Sequence, residues 1–226
     1  EHSRDVWRET IGSLMADKPI RHVVVTHLHP DHVGCAGWLT DEYDLDLWMT
    51  REEYLLCRIL VADTGKPAPA AGIDFYRAAG FADEALDRYQ EHFGGFGRVV
   101  SPLPESYRRL TAGMTISVGD DDWTVIIGRG HSPEHACLLC RARNILIAGD
   151  QVLPTISSNV SVYPTEPFAN PLADWFESLD HLAQTLDPDV LVLPAHGRPF
   201  TGVHRRLVQL REEHETGLEK LRALCR

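Results

Sequence analysis

No stretch of the 226-residue sequence approaches the ~20 apolar residues that a membrane-spanning helix needs, and the richest runs, 23–25 and 145–148, are only of strand length. A transmembrane protein is excluded for this segment. Lysine is nearly absent, with only Lys18, Lys66 and Lys220, and 22 basic residues face 33 acidic ones for a net charge of −11. Such a surface opposes a nonspecific grip on phosphate backbones, so nucleic acid is not an expected partner. The five cysteines are odd in number and irregularly spaced, which argues against a disulfide framework and fits reduced thiols in a cytoplasmic setting. Cys137 and Cys140 form a CxxC, but a zinc knuckle would need a second ligand pair and a redox pair usually opens a helix. The run 136–141 reads instead as an apolar strand, so both are expected to be core residues. Repeats of fixed period and low-complexity tracts are also missing. What is present, 43% hydrophobic and 24% charged residues, is the composition of a folded domain with a sizeable core. The chain opens at Glu1 without methionine and closes inside a helical pattern, so a longer protein is expected around it.

Val6, Trp7, Ile11, Leu14 and Met15 share one face at helical spacing and Lys18-Pro19 stops the run, which predicts a helix over about 4–16. A buried strand at 22–26, a histidine-rich loop, a short helix after Gly34 and a second strand at 45–49 follow as one β-loop-α-β unit. Residues 51–96 read as a helical insert, broken around Gly65 and at Gly80 and Gly94-Gly95. From Met114 the period becomes that of strands, at 114–118, 123–127, 136–139 and 145–148, with Gly119-Asp120-Asp121-Asp122 as a turn. A proline-bearing loop over 154–171, a helix over 173–185, a strand at 190–193 and a terminal amphipathic helix over about 204–224 complete the chain. A single α/β domain spanning 1–226 is the economical organisation.

The strand at 22–26 runs into His27-Leu28-His29-Pro30-Asp31-His32, three imidazoles and a carboxylate in six residues. Chance produces HxHxDH in on the order of one such chain in several hundred. Neutral imidazole and carboxylate are the donor set of zinc, iron or manganese. In extended backbone His27 and His29 aim to one side while Leu28 turns to the core, and Asp31 and His32 fall past the bend. Three more predicted strands end in a ligand-type residue: Gly130-His131-Ser132-Pro133-Glu134-His135, Gly149-Asp150, and Pro194-Ala195-His196-Gly197. Residues gathered at strand ends are how α/β scaffolds build a site.

HxHxDH, GHSPEH, a strand-end GD and PAHG, in this order from about Val23 to His196, resemble the metallo-β-lactamase fold superfamily. The resemblance implies an α/β protein of αβ/βα four-layer sandwich type with two divalent metal ions, zinc foremost and iron or manganese as alternatives. By motif position it implies His27, His29 and His131 on the first ion, Asp31, His32 and His196 on the second, and Asp150 between them. The spacing is similar to the glyoxalase II and thioesterase-like branch, in which His135 would support the ligands without binding metal. Two departures stand out. The strands that normally open the fold and end in an Asp-Thr-Gly turn are missing, and so is the glutathione-binding module of glyoxalase II. The terminal helix resembles the linker that in some relatives leads to a small winged-helix-like domain.

The implied chemistry is hydrolysis by a metal-bridged hydroxide, with Asp31 orienting or deprotonating the water. A small ester, thioester or lactone is the expected substrate. A phosphodiesterase or nuclease of the same fold, or a non-catalytic metabolite-binding protein that keeps the metal site, are the alternatives. A true β-lactamase is disfavoured, since those enzymes are periplasmic and commonly lack the aspartate that Asp150 supplies. Asn159 and Tyr163, in the loop after Asp150, are candidates to contact a substrate carbonyl. Tyr54, Phe75, Tyr76, Phe93, Tyr163 and Phe168 are expected to wall the site, while Trp38 and Trp48 read as core. His22, His92, His181, His204 and His214 lie outside the motifs and read as surface or helix-face residues. A homodimer is left open.

Overall fold

The parallel strands β1 (His22–Val24) and β2 (Asp46–Met49) pair with Val23 opposite Leu47, and β2 pairs in parallel with the two-residue β3 (Arg108–Arg109). These elements belong to the computed structural model of the chain, which describes residues 1–14 and 18–225. Two compact units are present, Glu1–Arg109 and Leu110–Arg226, each with its own sheet and hydrophobic core. The molecule is thus α/β with two sheets and flanking helices. Among the described residues no helix is long and apolar enough to cross a membrane.

In the first unit the crossover from β1 to β2 passes through α2 (Pro30–Val33) and α3 (Ala36–Tyr43). Val25, Leu28, Val33, Ala36, Leu47 and Met49 bury here together. A Cβ on Gly37 would fall 1.9 Å from the Pro102 carbonyl oxygen, so α3 sits directly on that backbone. The predicted insert forms α4 (Arg51–Ala62), α5 (Ala70–Ala78) and α6 (Asp83–His92). Of these α4 belongs to the unit's core: Tyr54 and Cys57 are buried, and Tyr54 stacks on Tyr107 and donates its hydroxyl to Pro104 O at 2.7 Å. Desolvation pushes the Cys57 thiol up to about 12. Phe75, Tyr76, Phe81, Tyr89 and Phe93 instead pack on one another and hold the α5–α6 pair together. Of the aromatics expected to wall a site, Tyr54, Phe75, Tyr76 and Phe93 pack on other aromatic rings of this unit, because helical spacing gives a shared face and not its destination.

Helix α1 (His2–Leu14) lies close to expectation; Met15 and Ala16 fall outside the described residues. Its predicted apolar face leaves Val6 and Trp7 partly exposed, and it engages α3 through Arg4 and Arg8 over the Trp38 ring.

In the second unit β4 (Thr115–Val118), β5 (Asp121–Gly128), β6 (His135–Cys140) and β7 (Ile145–Gly149) form an antiparallel meander. Strand β8 (Leu191–Pro194) then joins β7 in parallel through α7 (Pro171–Thr185). The turn after β4 is tighter than predicted: Val118 pairs with Asp121, leaving a two-residue loop whose Gly119 has φ 62°. Two-residue loops with positive φ match the twist of the strands they join. Helix α7 starts at Pro171 because the Asn170 side chain accepts Ala173 N–H, a cap that also suits proline in the first turn. Trp175, Leu179 and Leu182 from α7 and Val203, Leu207 and Leu210 from α8 (Val203–Leu224) bury with Ile126, Cys137, Leu146 and Val192 of the strands. Each such side chain stabilises by about 1.5–3 kcal/mol. Cys137 and Cys140 are free and buried, and burial pushes the Cys137 thiol up to about 12.

His214 of α8 is half-buried beside Trp175 and Phe176, and desolvation holds its pKa below the ordinary 6.5 against the opposing pull of Glu213. The unfolded chain therefore binds this proton more readily than the folded one. The stability contributed is full above about 6.5 and declines as pH falls below that value toward the folded pKa. Denaturant titrations at stepped pH should show a shallower acid-side decline in His214→Gln than in the unmodified protein. Equal slopes would remove His214 from the account.

Candidate metal centre

Ligand-type side chains stand at strand ends in both units: His27, His29, Asp31 and His32 in the first, His131, Asp150 and His196 in the second. In the first unit the ladder continues past β1 through Val25 N–H to Trp48 O, the chain bends at Thr26, and His29 is extended before Pro30 opens α2. Leu28 turns into the core and His27 and His29 turn the other way, as the two-residue period requires. Their rings meet edge to face with His27 Nε2 and His29 Nδ1 2.9 Å apart. His27 is fully buried, and Thr26 Oγ1 lies 3.1 Å from its Nδ1, which leaves Nε2 pointing forward. The short helix α2 brings His32 over His27, with ring centroids 4.1 Å apart, and sets Asp31 Oδ2 3.4 Å from His32 Nε2.

In the second unit the hairpin between β5 and β6 carries His131, the end of β7 carries Asp150, and the segment after β8 carries His196. Ala195 N–H donates to Gly149 O at 3.0 Å, so the chain keeps the parallel pairing to the point where Asp150 and His196 emerge. His131 Nδ1 lies 2.8 Å from Asn159 O. A carbonyl only accepts, so Nδ1 carries the proton and Nε2 presents a lone pair, the tautomer a metal requires. That Nε2 is 3.6 Å from Asp150 Oδ2, while His196 Nε2 is 3.5 Å from Asp150 Oδ1. The buried carboxylate therefore faces two imidazoles, one through each oxygen. The separations exceed hydrogen-bond length. They match the ~3.4 Å between two donors that each stand ~2.1 Å from one tetrahedral ion. The donor set, imidazole and carboxylate without thiolate, suits zinc, iron or manganese.

His135 is fully buried, and its Nε2 accepts the Asp150 N–H at 3.1 Å. That lone pair is thereby used to hold the aspartate backbone. Ser158 Oγ donates to the Asp150 carbonyl from the other side. Asn159 acts here through its backbone, and its side-chain Oδ1 accepts from Ser161 Oγ. Tyr163 and Phe168 are 48% and 98% exposed.

One functional group escapes a motif search. Glu53, in the first turn of α4, is fully buried, and its Oε2 accepts the Leu28 N–H at 2.9 Å, midway between His27 and His29. The spacing Thr50-x-x-Glu53 reads from sequence as a capping box, which hides this longer reach. Removing the acceptor strands a buried N–H, so Glu53→Ala should cost about 1–3 kcal/mol and Glu53→Gln clearly less. Urea midpoints at constant m-value check both.

A family model for the metallo-beta-lactamase superfamily matches residues 14–196. The chain belongs to that superfamily. It is 28% identical over 213 residues to the probable metallo-hydrolase YqjP of Bacillus subtilis, covering 91% of this chain and 63% of the relative. The crystal structure of a beta-lactamase domain protein from Burkholderia ambifaria superposes with a TM-score of 0.88 at 41% identity, over 98% of this chain and 62% of the other. A metallo-beta-lactamase family protein from Thermus thermophilus gives 0.68 at 26% identity, over 91% and 64%. The chain spans a little over three fifths of the length of these proteins.

Proposed function

We propose that the two clusters form one binuclear centre and that the chain is a metal-dependent hydrolase of small esters, thioesters or lactones. In this reading His27, His29 and His131 hold one divalent ion, Asp31, His32 and His196 hold the other, Asp150 serves both, and 1–226 work as one domain. The observation that carries it is the Asp150 carboxylate, which turns a separate oxygen to each of two imidazoles. A bound pair of divalent ions supplies Lewis acidity and a water of lowered pKa, so no serine or cysteine nucleophile is required. The protein's own groups do the rest. Asp31, the more exposed carboxylate, accepts a proton at Oδ, and His131 is held in its metal-ready tautomer by Asn159 O. Asn159 and Tyr163 lie on the loop that meets the substrate. The net charge of −11 and the scarcity of lysine favour an uncharged acyl substrate over a polyanion. Zinc is the first expectation for the metal, and the free thiols suit a cytoplasmic setting.

Metal analysis of protein never exposed to chelator, followed by a screen of thioesters, lactones, esters and phosphodiesters, tests this directly. Two ions per chain and fastest turnover on an acyl substrate are expected. Fewer than one ion would overturn the centre. A phosphodiester as best substrate would replace the esterase reading with the phosphodiesterase one.

A further inference from the structure

We propose that Arg206 is a positioning residue for this centre: from α8 its buried guanidinium grips the loop after β7 and so fixes the His131 imidazole. The inference rests on the reading that His131 binds metal. Residues 151–170 have neither helix nor strand, and a segment of that length is costly to hold in one conformation. Arg206 holds its first part with two bonds, from Nε to Leu153 O at 2.7 Å and from one terminal nitrogen to Ile156 O at 2.8 Å, while the other terminal nitrogen is held within α8 by Glu213 Oε1 at 3.0 Å. Arg206 is only 6% exposed, and a charge so placed is tolerated only when well bonded.

The same helix offers His214 Nε2, 3.0 Å from Ser157 Oγ. Ser158 Oγ next donates to the Asp150 carbonyl, and Asn159 O accepts the hydrogen bond of His131 Nδ1–H. A continuous path thus runs from Arg206 through residues 153–159 to two residues of the proposed centre. The planar fork is what serves two carbonyls at once, and a lysine ammonium has no such geometry.

The test uses the intact protein labelled with 15N-histidine. In the metal-free state His131 Nδ1–H should give a slowly exchanging imidazole signal, assigned by its loss in His131→Gln. Arg206→Lys, which keeps the charge and the stem, should speed that exchange at least tenfold and weaken zinc binding by about tenfold, the low end of the range for outer ligand supports. Arg206→Met should do the same or more, and if it fails to fold the lysine variant carries the comparison. Unchanged exchange and zinc affinity in Arg206→Lys, with only a lower Tm, would overturn the proposal and leave a structural role. Unmodified protein that binds no zinc, iron or manganese would overturn the metal reading instead, and the exchange comparison would still decide what Arg206 does for His131.

Discussion

Asp150→Asn is expected to abolish most turnover while leaving the fold in place. The amide nearly matches the carboxylate in volume, and the backbone contacts of residue 150, its N–H to His135 and its carbonyl from Ser158, do not involve the side chain. What changes is charge: a neutral amide cannot supply an anionic oxygen toward both His131 and His196. If several kcal/mol of stabilisation are lost at about 1.4 kcal/mol per tenfold, the rate on the best substrate falls on the order of 10³-fold. At least one of the two proposed ions should also be lost on gel filtration. Circular dichroism of the two proteins, both stripped of metal, should be the same, which shows that the fold is kept; with metal present the variant should also lose the stabilisation that the missing ion supplied. A variant with full metal content and turnover within about threefold, a difference worth less than 1 kcal/mol, would show that Asp150 is not shared between two ions.

The ligand-type residues are legible because strand geometry is local. An alternation such as His27-Leu28-His29 decides by itself that Leu28 enters the core and both imidazoles leave it. Apart from His135, which the resemblance singles out, the supports of those residues are not legible, because each depends on distant chain. Glu53 reaches Leu28 across 25 residues, Asn159 meets His131 across 28 through a backbone atom that any residue would supply, and Arg206 meets Leu153 across 53. The aromatics fail for a related reason. Tyr54 and Phe75 read equally well as cleft walls or as packing, and only the partners, Tyr107 and Pro104 O for one and Tyr76 for the other, decide between them. Element types were predictable from period and breakers, whereas β3, two residues long, is too short to leave a period.

The GHSPEH motif also carries a constraint that has nothing to do with ligand chemistry, and Gly130→Ala should expose it. Gly130 has φ 97°, and a Cβ there would stand 2.6 Å from Pro171 O, 2.6 Å from Trp175 Cβ and 2.7 Å from Trp175 Cα. Two of those atoms are backbone, and Trp175 is fully buried among the side chains of its unit, so little can give way. The substitution adds left-handed strain of about 1–2 kcal/mol to an overpacking cost of about 1–3 kcal/mol. A loss of about 3 kcal/mol or more is expected, with His131, the next residue, displaced from Asn159 O. Gly113→Ala separates the two contributions, since Gly113 has φ 76° but nothing within 4 Å of its Cβ position. That variant should lose only the strain component, about 1–2 kcal/mol. Urea unfolding of both, with m-values compared to establish a common denatured state, reads the difference. Equal losses would mean that the close approach of α7 to the hairpin does not limit the residue before His131, and that backbone conformation alone demands glycine there.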